Sequence, residues 1–156
     1  MATPALNPNS FGLNPVRGLV DWSIQRRGIM TVQVSANQAT ALVAGMPVIL
    51  DSAATGAMPQ VIGAGNSDIR AFYVAWNAKQ DSFVAGDIIE VAGMFGPVIW
   101  LKADATIAMG ATVEDVIVDS AVQTLAAAKP RGIALLNGVS GNLVPVMLVT
   151  PAVVAS

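Results

Sequence analysis

Short apolar runs separated by turn-forming residues dominate the chain from Ile29 onwards. Met30–Ser35 alternates apolar and polar residues with a period of two, as a half-buried β-strand does. Further runs are rich in β-branched or aromatic residues: Val48–Leu50, Ala71–Trp76, Asp87–Ala92, Val98–Leu101, Val113–Val118, Gly132–Leu136 and Leu143–Val149. Gly, Pro, Asn and Asp punctuate these runs at the spacing of an all-β protein. The pattern predicts an all-β fold, either a compact barrel or a sandwich.

Two segments leave their local structure open. Ser120–Lys129 is rich enough in alanine for a helix, but Pro130 limits its length. A strand at a sheet edge, followed by a loop, fits this segment equally well. Pro145 interrupts the last apolar run, and because proline has no N–H to give to a ladder, it predicts an edge position or a bulge there.

Residues 1–28 differ in composition from the rest of the chain. They hold three of the nine prolines and three of the five arginines, and they show no clean hydrophobic period. Because proline fixes φ and disfavours helix in the residue before it, we expect this segment to be extended. The chain is therefore divided into an extended N-terminal arm, residues 1–28, and a β-rich domain, residues 29–156.

The arm is either a disordered tail or a segment that becomes ordered on a partner. Bulky apolar side chains favour the second alternative, because they gain nothing in a purely solvated tail. The cationic side chains could pair with acidic groups of the same partner. The candidate contact residues are Phe11, Leu13, Arg17, Trp22, Arg26 and Arg27.

Composition removes much of enzyme chemistry from consideration. The chain has 156 residues, of which 54% are apolar and 12% charged, and it contains neither His nor Cys. An imidazole base, a Ser-His or Cys-His pair, thiolate chemistry and a His/Cys zinc site are therefore excluded. The side chains that remain available for catalysis are carboxylates, lysines, hydroxyls and Tyr73. We predict no catalytic, cofactor-binding or metal-binding residues.

The charge pattern bears on the partners of the protein. Eight cations against ten acids give a net charge of −2, without the clustered cations that nucleic acid requires, so we expect no nucleic-acid partner. No apolar run approaches the length of a membrane span, and the N-terminus lacks the features of a signal peptide, so we expect no membrane partner and synthesis in the cytoplasm. So few charges predict large apolar surface patches, and hence a subunit of an assembly.

Glu114, Asp115 and Asp119 lie close enough in sequence to suggest a site for a hard cation. A calcium loop needs six or more oxygen ligands and a D-x-[DN]-x-[DN]-G pattern, which is missing here. In a strand these acids would alternate between faces, so their interpretation as solvated loop acids is favoured over a metal site.

Two other residue groups have an ordinary structural interpretation. The glycines near Gly63–Gly65, Gly86 and Gly93–Gly96 lack the spacing of a phosphate-binding loop, and β-turns explain them. Four aromatic residues could form a platform for a sugar, namely Phe72, Tyr73, Trp76 and Trp100. We expect them to pack in the core instead, with Phe72, Val74 and Trp76 on one strand face and Tyr73 on the other.

The order of several short motifs carries a resemblance. They are Ala44–Asp51, an Ala/Gly/Pro loop, Ala71–Ala75, Gly86–Ala92, Gly96–Leu101, Gly110–Val113, Arg131–Leu135 and Gly141–Val146. In this order, and with the low-charge, Ala/Val/Gly-rich composition, the chain resembles the small capsid decoration, or cement, proteins of tailed bacteriophages over roughly residues 30–149.

The resemblance implies a β-rich body on the exterior of a mature capsid, made in the host cytoplasm and then part of the virion. It implies a homotrimer that bridges subunits of the major capsid protein, often with an extended terminus on the shell and without catalytic residues. Two alternatives remain open: a phage head fibre or receptor-binding module, and a metal-dependent β-fold hydrolase.

Overall fold

The computed structural model describes residues 17–19, 28–65, 72–93, 97–116, 121–126 and 130–149. Every helix or strand assigned in these residues is a β-strand, which confirms the all-β prediction. The strands are β1 Ile29–Val34, β2 Leu42–Val43, β3 Pro47–Leu50, β4 Gln60–Gly63, β5 Phe72–Val74, β6 Ser82–Phe83, β7 Ile88–Ala92, β8 Val98–Lys102, β9 Thr112–Val116, β10 Ala121–Thr124, β11 Gly132–Ala134 and β12 Leu143–Leu148.

Five strands form a closed barrel in the order β1-β4-β3-β5-β7. It closes where β1 pairs antiparallel with β7, from Ile29 opposite Ala92 to Gln33 opposite Ile88. Alternate residues point inward, and the interior is filled mainly by valines, which suit a narrow barrel. This first core contains Val32, Val34, Val48, Val61, Val74, Ile89 and Val91, with Leu42 and Phe83 from the two-stranded sheet β2–β6.

The other strands form a sheet in the order β10-β9-β11-β12-β8. One face of this sheet packs on the barrel and builds a second core, which includes Ile99, Leu101, Val113, Val122, Val144, Val146 and Leu148. The two outer strands of the sheet approach each other through a bridge between Ala103 and Val122. Tyr73 and Ala92 bring the outside of the barrel into this second core.

The structure assigns the two segments whose local structure the sequence left undecided. Ala121–Thr124 is the outer strand β10, so the strand alternative for this region is confirmed. The expected edge position or bulge at Pro145 is wrong, because β12 lies between β11 and β8 with continuous register. The Pro145 carbonyl accepts the Leu135 N–H (2.9 Å), one residue beyond the end of β11. The N–H that proline lacks would therefore bond Leu135 at the end of this pairing, so only one ladder bond is lost and the proline is tolerated.

Residues 17–19 lie in the joint between the barrel and β8. The Gly18 N–H donates to the Trp100 carbonyl (2.7 Å), the Trp76 N–H donates to the Gly18 carbonyl (2.8 Å), and the Trp100 N–H donates to the Leu19 carbonyl (2.9 Å). Gly18 has a φ of +77°, and a Cβ added there would meet Gly45 N at 2.7 Å and Val74 O at 2.8 Å. Only glycine fits this position without displacing backbone.

Gly18→Ala is expected to destabilise the protein more than Gly86→Ala, which is the matched control. Gly86 also has a positive φ, of +94°, but nothing lies within 4 Å of an added Cβ. The control should lose about 1–2 kcal/mol from the left-handed conformation alone. Gly18→Ala should lose about 1–3 kcal/mol more, because the added methyl group meets backbone. Urea unfolding of both variants measures the difference, and equal losses would show that residues 17–19 do not hold the joint.

Candidate functional site

The acidic residues considered as cation ligands do not form one site. Glu114 and Asp115 are buried in β9, so their interpretation as solvated loop acids is wrong for both, and Asp119 lies outside the described residues. The two buried acids alternate faces, as expected in a strand: the Gln123 side-chain amide donates to Glu114 (3.0 Å), whereas Asp115 points to the barrel. Among the described residues, no three acidic side chains are grouped to hold a metal.

Asp115 instead lies at the centre of a buried polar network between the barrel and the sheet. The Tyr73 hydroxyl, from β5, donates to Asp115 Oδ1. Arg131 Nε, from the residue before β11, donates to Asp115 Oδ2 at 2.6 Å. Each contact joins different strands, and the Tyr73 contact joins the two cores. Buried polar groups are stable only when they bond one another in this way.

Burial controls the ionisation of this network. It raises the pKa of Asp115, and the Arg131 charge and the Tyr73 hydroxyl oppose that rise. Burial and the neighbouring Asp115 carboxylate raise the pKa of Tyr73 well above 10, so the hydroxyl keeps its proton and remains a donor. With both carboxylate oxygens engaged and Tyr73 enclosed, the arrangement holds the two cores together and offers no base to a substrate.

A cleft of about 440 Å³ lies on the outside of the barrel. Trp76 and Asn77 line one part of it, and Ile88 and Glu90 of β7 line another. Glu90 is the ionisable side chain among the described residues that line the cleft, whereas a metal-dependent hydrolase needs several ligands grouped around its metal. The described lining does not bring such a group of acids together.

The four aromatic residues do not form a sugar platform. Phe72 packs against the first core with Val74, Tyr73 belongs to the second core, and Trp100 is buried. The predicted core packing and the opposite facing of Tyr73 are confirmed, whereas Trp76 is half-buried and lines the cleft.

The turn interpretation of the glycines is confirmed for Gly86 and is wrong for Gly63. Gly86 lies in the tight connection from β6 to β7, where the Asp87 N–H donates to the Val84 carbonyl (3.0 Å), and its positive φ confirms the turn. Gly63 belongs to β4.

Of the candidate contact residues in the arm, the structure describes Arg17. Its side chain lies over Gly45, at which an added Cβ would be 2.6 Å from Arg17 Cγ. Phe11, Leu13, Trp22, Arg26 and Arg27 lie outside the described residues. Their contacts, and the division of the chain at residue 28, stay predictions.

Within the described ranges, no helix is long and apolar enough to cross a membrane.

Asp115→Asn is expected to destabilise the protein at neutral pH, though less than Asp115→Ala, because it leaves the buried Arg131 guanidinium without a counter-charge but keeps an acceptor for it. The folded protein binds the Asp115 proton more tightly than the unfolded chain does. The contribution of Asp115 to the free energy of unfolding is therefore largest at low pH and falls as pH rises from 3.8 through the raised folded pKa. Urea unfolding across pH should show that this fall disappears in Asp115→Asn.

One further variant and one control residue test this assignment. Asp115→Ala removes the acceptor for Tyr73 and Arg131 and should cost about 3–5 kcal/mol. Asp51 is a control of opposite sign, because the Ser35 hydroxyl and the Asn37 amide donate to it and lower its pKa. Its stabilising contribution is lost as pH falls through that lowered pKa. Equal pH profiles for Asp115→Asn and the wild type would refute the role of Asp115.

No protein family of known sequence pattern matches this chain, and no curated protein matches it. Among solved structures, the fold is similar to the N base of the head fibre gp8.5 of bacteriophage phi29, with a TM-score of 0.55 and 15% sequence identity. The similarity covers 77% of this chain and 93% of the phi29 chain. At this identity the likeness establishes a shared fold.

Proposed function

We propose that this protein is a structural component of a bacteriophage head, bound to the exterior of the capsid as a decoration protein. The observation that carries the proposal is the shared fold with the base of a phage head fibre, over 77% of the chain. The described acids support the same conclusion, because Asp115 and Glu114 bond to neighbouring side chains and Glu90 lies in the cleft without a second acid.

The proposed mechanism is burial of apolar surface across the seams between major capsid protein subunits. Rupture of the shell would then have to expose that surface as well. Each buried Å² of apolar surface contributes roughly 25 cal/mol, most of which association and ordering offset. Repetition over many copies makes a small net gain per copy sufficient. A homotrimer would place three such contacts around one local axis.

A second candidate function is the base of a head fibre. The same likeness favours it, because the similar phi29 chain is described as part of a head fibre. A decoration protein strengthens the shell on which it sits, whereas a fibre base mainly attaches a projection. The two functions therefore differ in their effect on shell rupture.

Addition of the purified protein to heads of the encoding phage, produced with its gene deleted, tests both candidates. We expect the protein to sediment with the heads and to raise the temperature at which they release DNA. Binding without a higher release temperature, together with a projecting density in electron cryomicroscopy, would favour the fibre base. Failure to bind the heads would contradict both functions.

Removal of residues 1–16 is expected to weaken head binding at least tenfold while leaving thermal unfolding unchanged. This truncation removes Phe11 and Leu13 but keeps the bonds of Gly18 to Trp76 and Trp100. The removed segment could span about 55 Å when extended, which is enough to reach a neighbouring subunit. Sedimentation with heads at several protein concentrations measures the binding.

Removal of residues 1–19 is the matched control for that experiment. It also deletes the bonds of Gly18 and Leu19, so it should lower the unfolding temperature as well as the binding. If the protein without residues 1–16 binds heads as tightly as the full chain, residues 1–16 have no part in the contact.

A further inference from the structure

The outer face of the barrel strand β7 is covered by the five-stranded sheet along part of its length. Ile88, Glu90 and Ala92 share this face, because alternate residues of a strand point the same way. Ala92 is buried in the second core, whereas Ile88 and Glu90 are exposed. Thr31 of β1 lies opposite Glu90, and both line the cleft together with residues 75–78. The cleft of about 440 Å³ is therefore the part of this face that the sheet leaves open.

The lining of the cleft brings together an aromatic ring and a carboxylate. Trp76 is half-buried and supplies an indole, and the exposed Glu90 supplies the carboxylate. An indole attracts a cation through the negative face of its ring, and a carboxylate accepts charge-assisted hydrogen bonds from the same cation. The side-chain oxygens of Thr31 and Asn77 are further acceptors. This set of groups is suited to a guanidinium or an ammonium group.

The charges around the cleft also favour a cation over an anion. Residues 75–90 carry three acids, Asp81, Asp87 and Glu90, against one cation, Lys79. All four side chains are exposed or partly exposed. The negative potential of this segment attracts basic groups and repels phosphates and carboxylates.

Hydrogen bonds hold both sides of the cleft in place. The Ala75 N–H donates to the Glu90 carbonyl (2.9 Å), which fixes the segment after β5 against β7. The Lys79 N–H donates to Asn77 Oδ1 (2.9 Å), and Asn77 forms a β-bridge with Gln80. A surface held in this way loses little conformational freedom when it binds.

Large apolar side chains lie at the cleft and beside it. Ile88 is 63% exposed and lines the cleft, and Val84, in the connection from β6 to β7, is 55% exposed. When a partner covers these side chains, it excludes water from an ion pair in the cleft, which strengthens that pair. A segment of protein can cover both the charged and the apolar parts of this surface, whereas a small free ligand fills only the cleft.

The N-terminal arm begins beside the cleft. The Gly18 carbonyl accepts the Trp76 N–H (2.8 Å), so the arm contacts the backbone of a residue that lines the cleft. Residue 16 is two residues further along the chain, at most about 8 Å from Gly18. The cleft and the described start of the arm therefore lie on the same part of the body, where one partner can contact both.

We propose that the cleft binds an arginine or lysine side chain of the major capsid protein, held between the Trp76 ring and the Glu90 carboxylate. This inference rests on the proposed attachment to a phage head and adds the chemistry of one contact with it. Charge complementarity decides the occupant, because the negative potential of residues 75–90 favours a basic side chain and a neutral sugar gains nothing from it. Ile88 and Val84 provide the adjoining apolar contact.

The first test removes one charge inside the cleft and one outside it. Glu90→Gln keeps the size of the side chain, and Asp81→Asn is the matched control, because Asp81 is exposed on the same segment but does not line the cleft. Both residues are exposed, so both variants should keep the wild-type unfolding temperature. Sedimentation with heads should show about tenfold or greater weakening for Glu90→Gln and less than about threefold for Asp81→Asn. Binding by Glu90→Gln should also fall less steeply with added salt than binding by the wild type, because one ion pair is missing.

A second test needs no heads. N-acetylarginine amide and N-acetylcitrulline amide have nearly the same shape, but only the first is charged. We expect the arginine compound to shift the indole N–H signal of Trp76 in NMR spectra, and the citrulline compound and methyl glucoside to leave it unchanged. Trp76→Phe identifies this signal among those of the three tryptophans. Equal shifts with the two amides, a shift with the glucoside alone, or no shift at all would overturn the proposed chemistry.

A photo-crosslinking residue at the exposed Ala78, which lines the cleft, identifies the occupant. A crosslink to a basic segment of the major capsid protein supports the proposal, and a crosslink to a second copy of this chain overturns it. If the wild type binds heads and Glu90→Gln binds equally well, this inference fails while the proposed function stands. If the wild type does not bind heads, the proposed function fails, and the capsid partner proposed here fails with it.

Discussion

The structure depends on the contact between Tyr73 and Asp115. Tyr73 belongs to a barrel strand, yet its side chain lies in the core of the neighbouring sheet, and its hydroxyl reaches a carboxylate of β9. Without this contact the described residues would join the two cores through apolar packing and the backbone bonds of residues 17–19. Apolar packing specifies a position less sharply than a directional side-chain bond does. The same Asp115 accepts a bond from Arg131, so a single carboxylate of β9 holds Tyr73 of β5 and the residue that precedes β11.

Strand alternation explains how a narrow barrel contributes to two cores. In β5 the side chain of Val74 points into the barrel, and that of Tyr73 points out of it. In β7 the neighbours Val91 and Ala92 divide between the two cores in the same way. Where the sheet covers them, β5 and β7 are therefore buried on both faces. Strands buried on both faces need apolar residues on both, which agrees with the low share of charged residues in the chain.

The sequence predicts the long strands well, because their apolar runs exceed what a loop contains. It misses β2 and β6, which have two residues each, because such short segments show no period. It also misses the barrel strand β4, because the residues around Gly63 have the appearance of an Ala/Gly/Pro loop with a turn. The pairing of Tyr73 with Asp115 could not be predicted, since 42 residues separate them and a single sequence holds no signal for contacts across that distance. Gly18 was also missed, because one glycine in a Pro- and Asn-rich segment has the appearance of an ordinary turn residue.

The bonds made at the outer strands of the sheet affect how the protein behaves at high concentration. An open outer strand is a template for unwanted pairing between molecules. Here the barrel is closed, the bridge between Ala103 and Val122 joins the outer strands of the sheet, and Gly18 and Leu19 occupy backbone groups of β8 at Trp100. These contacts leave fewer free strand edges in the described part of the chain, which lowers its tendency to add strands between copies at high concentration.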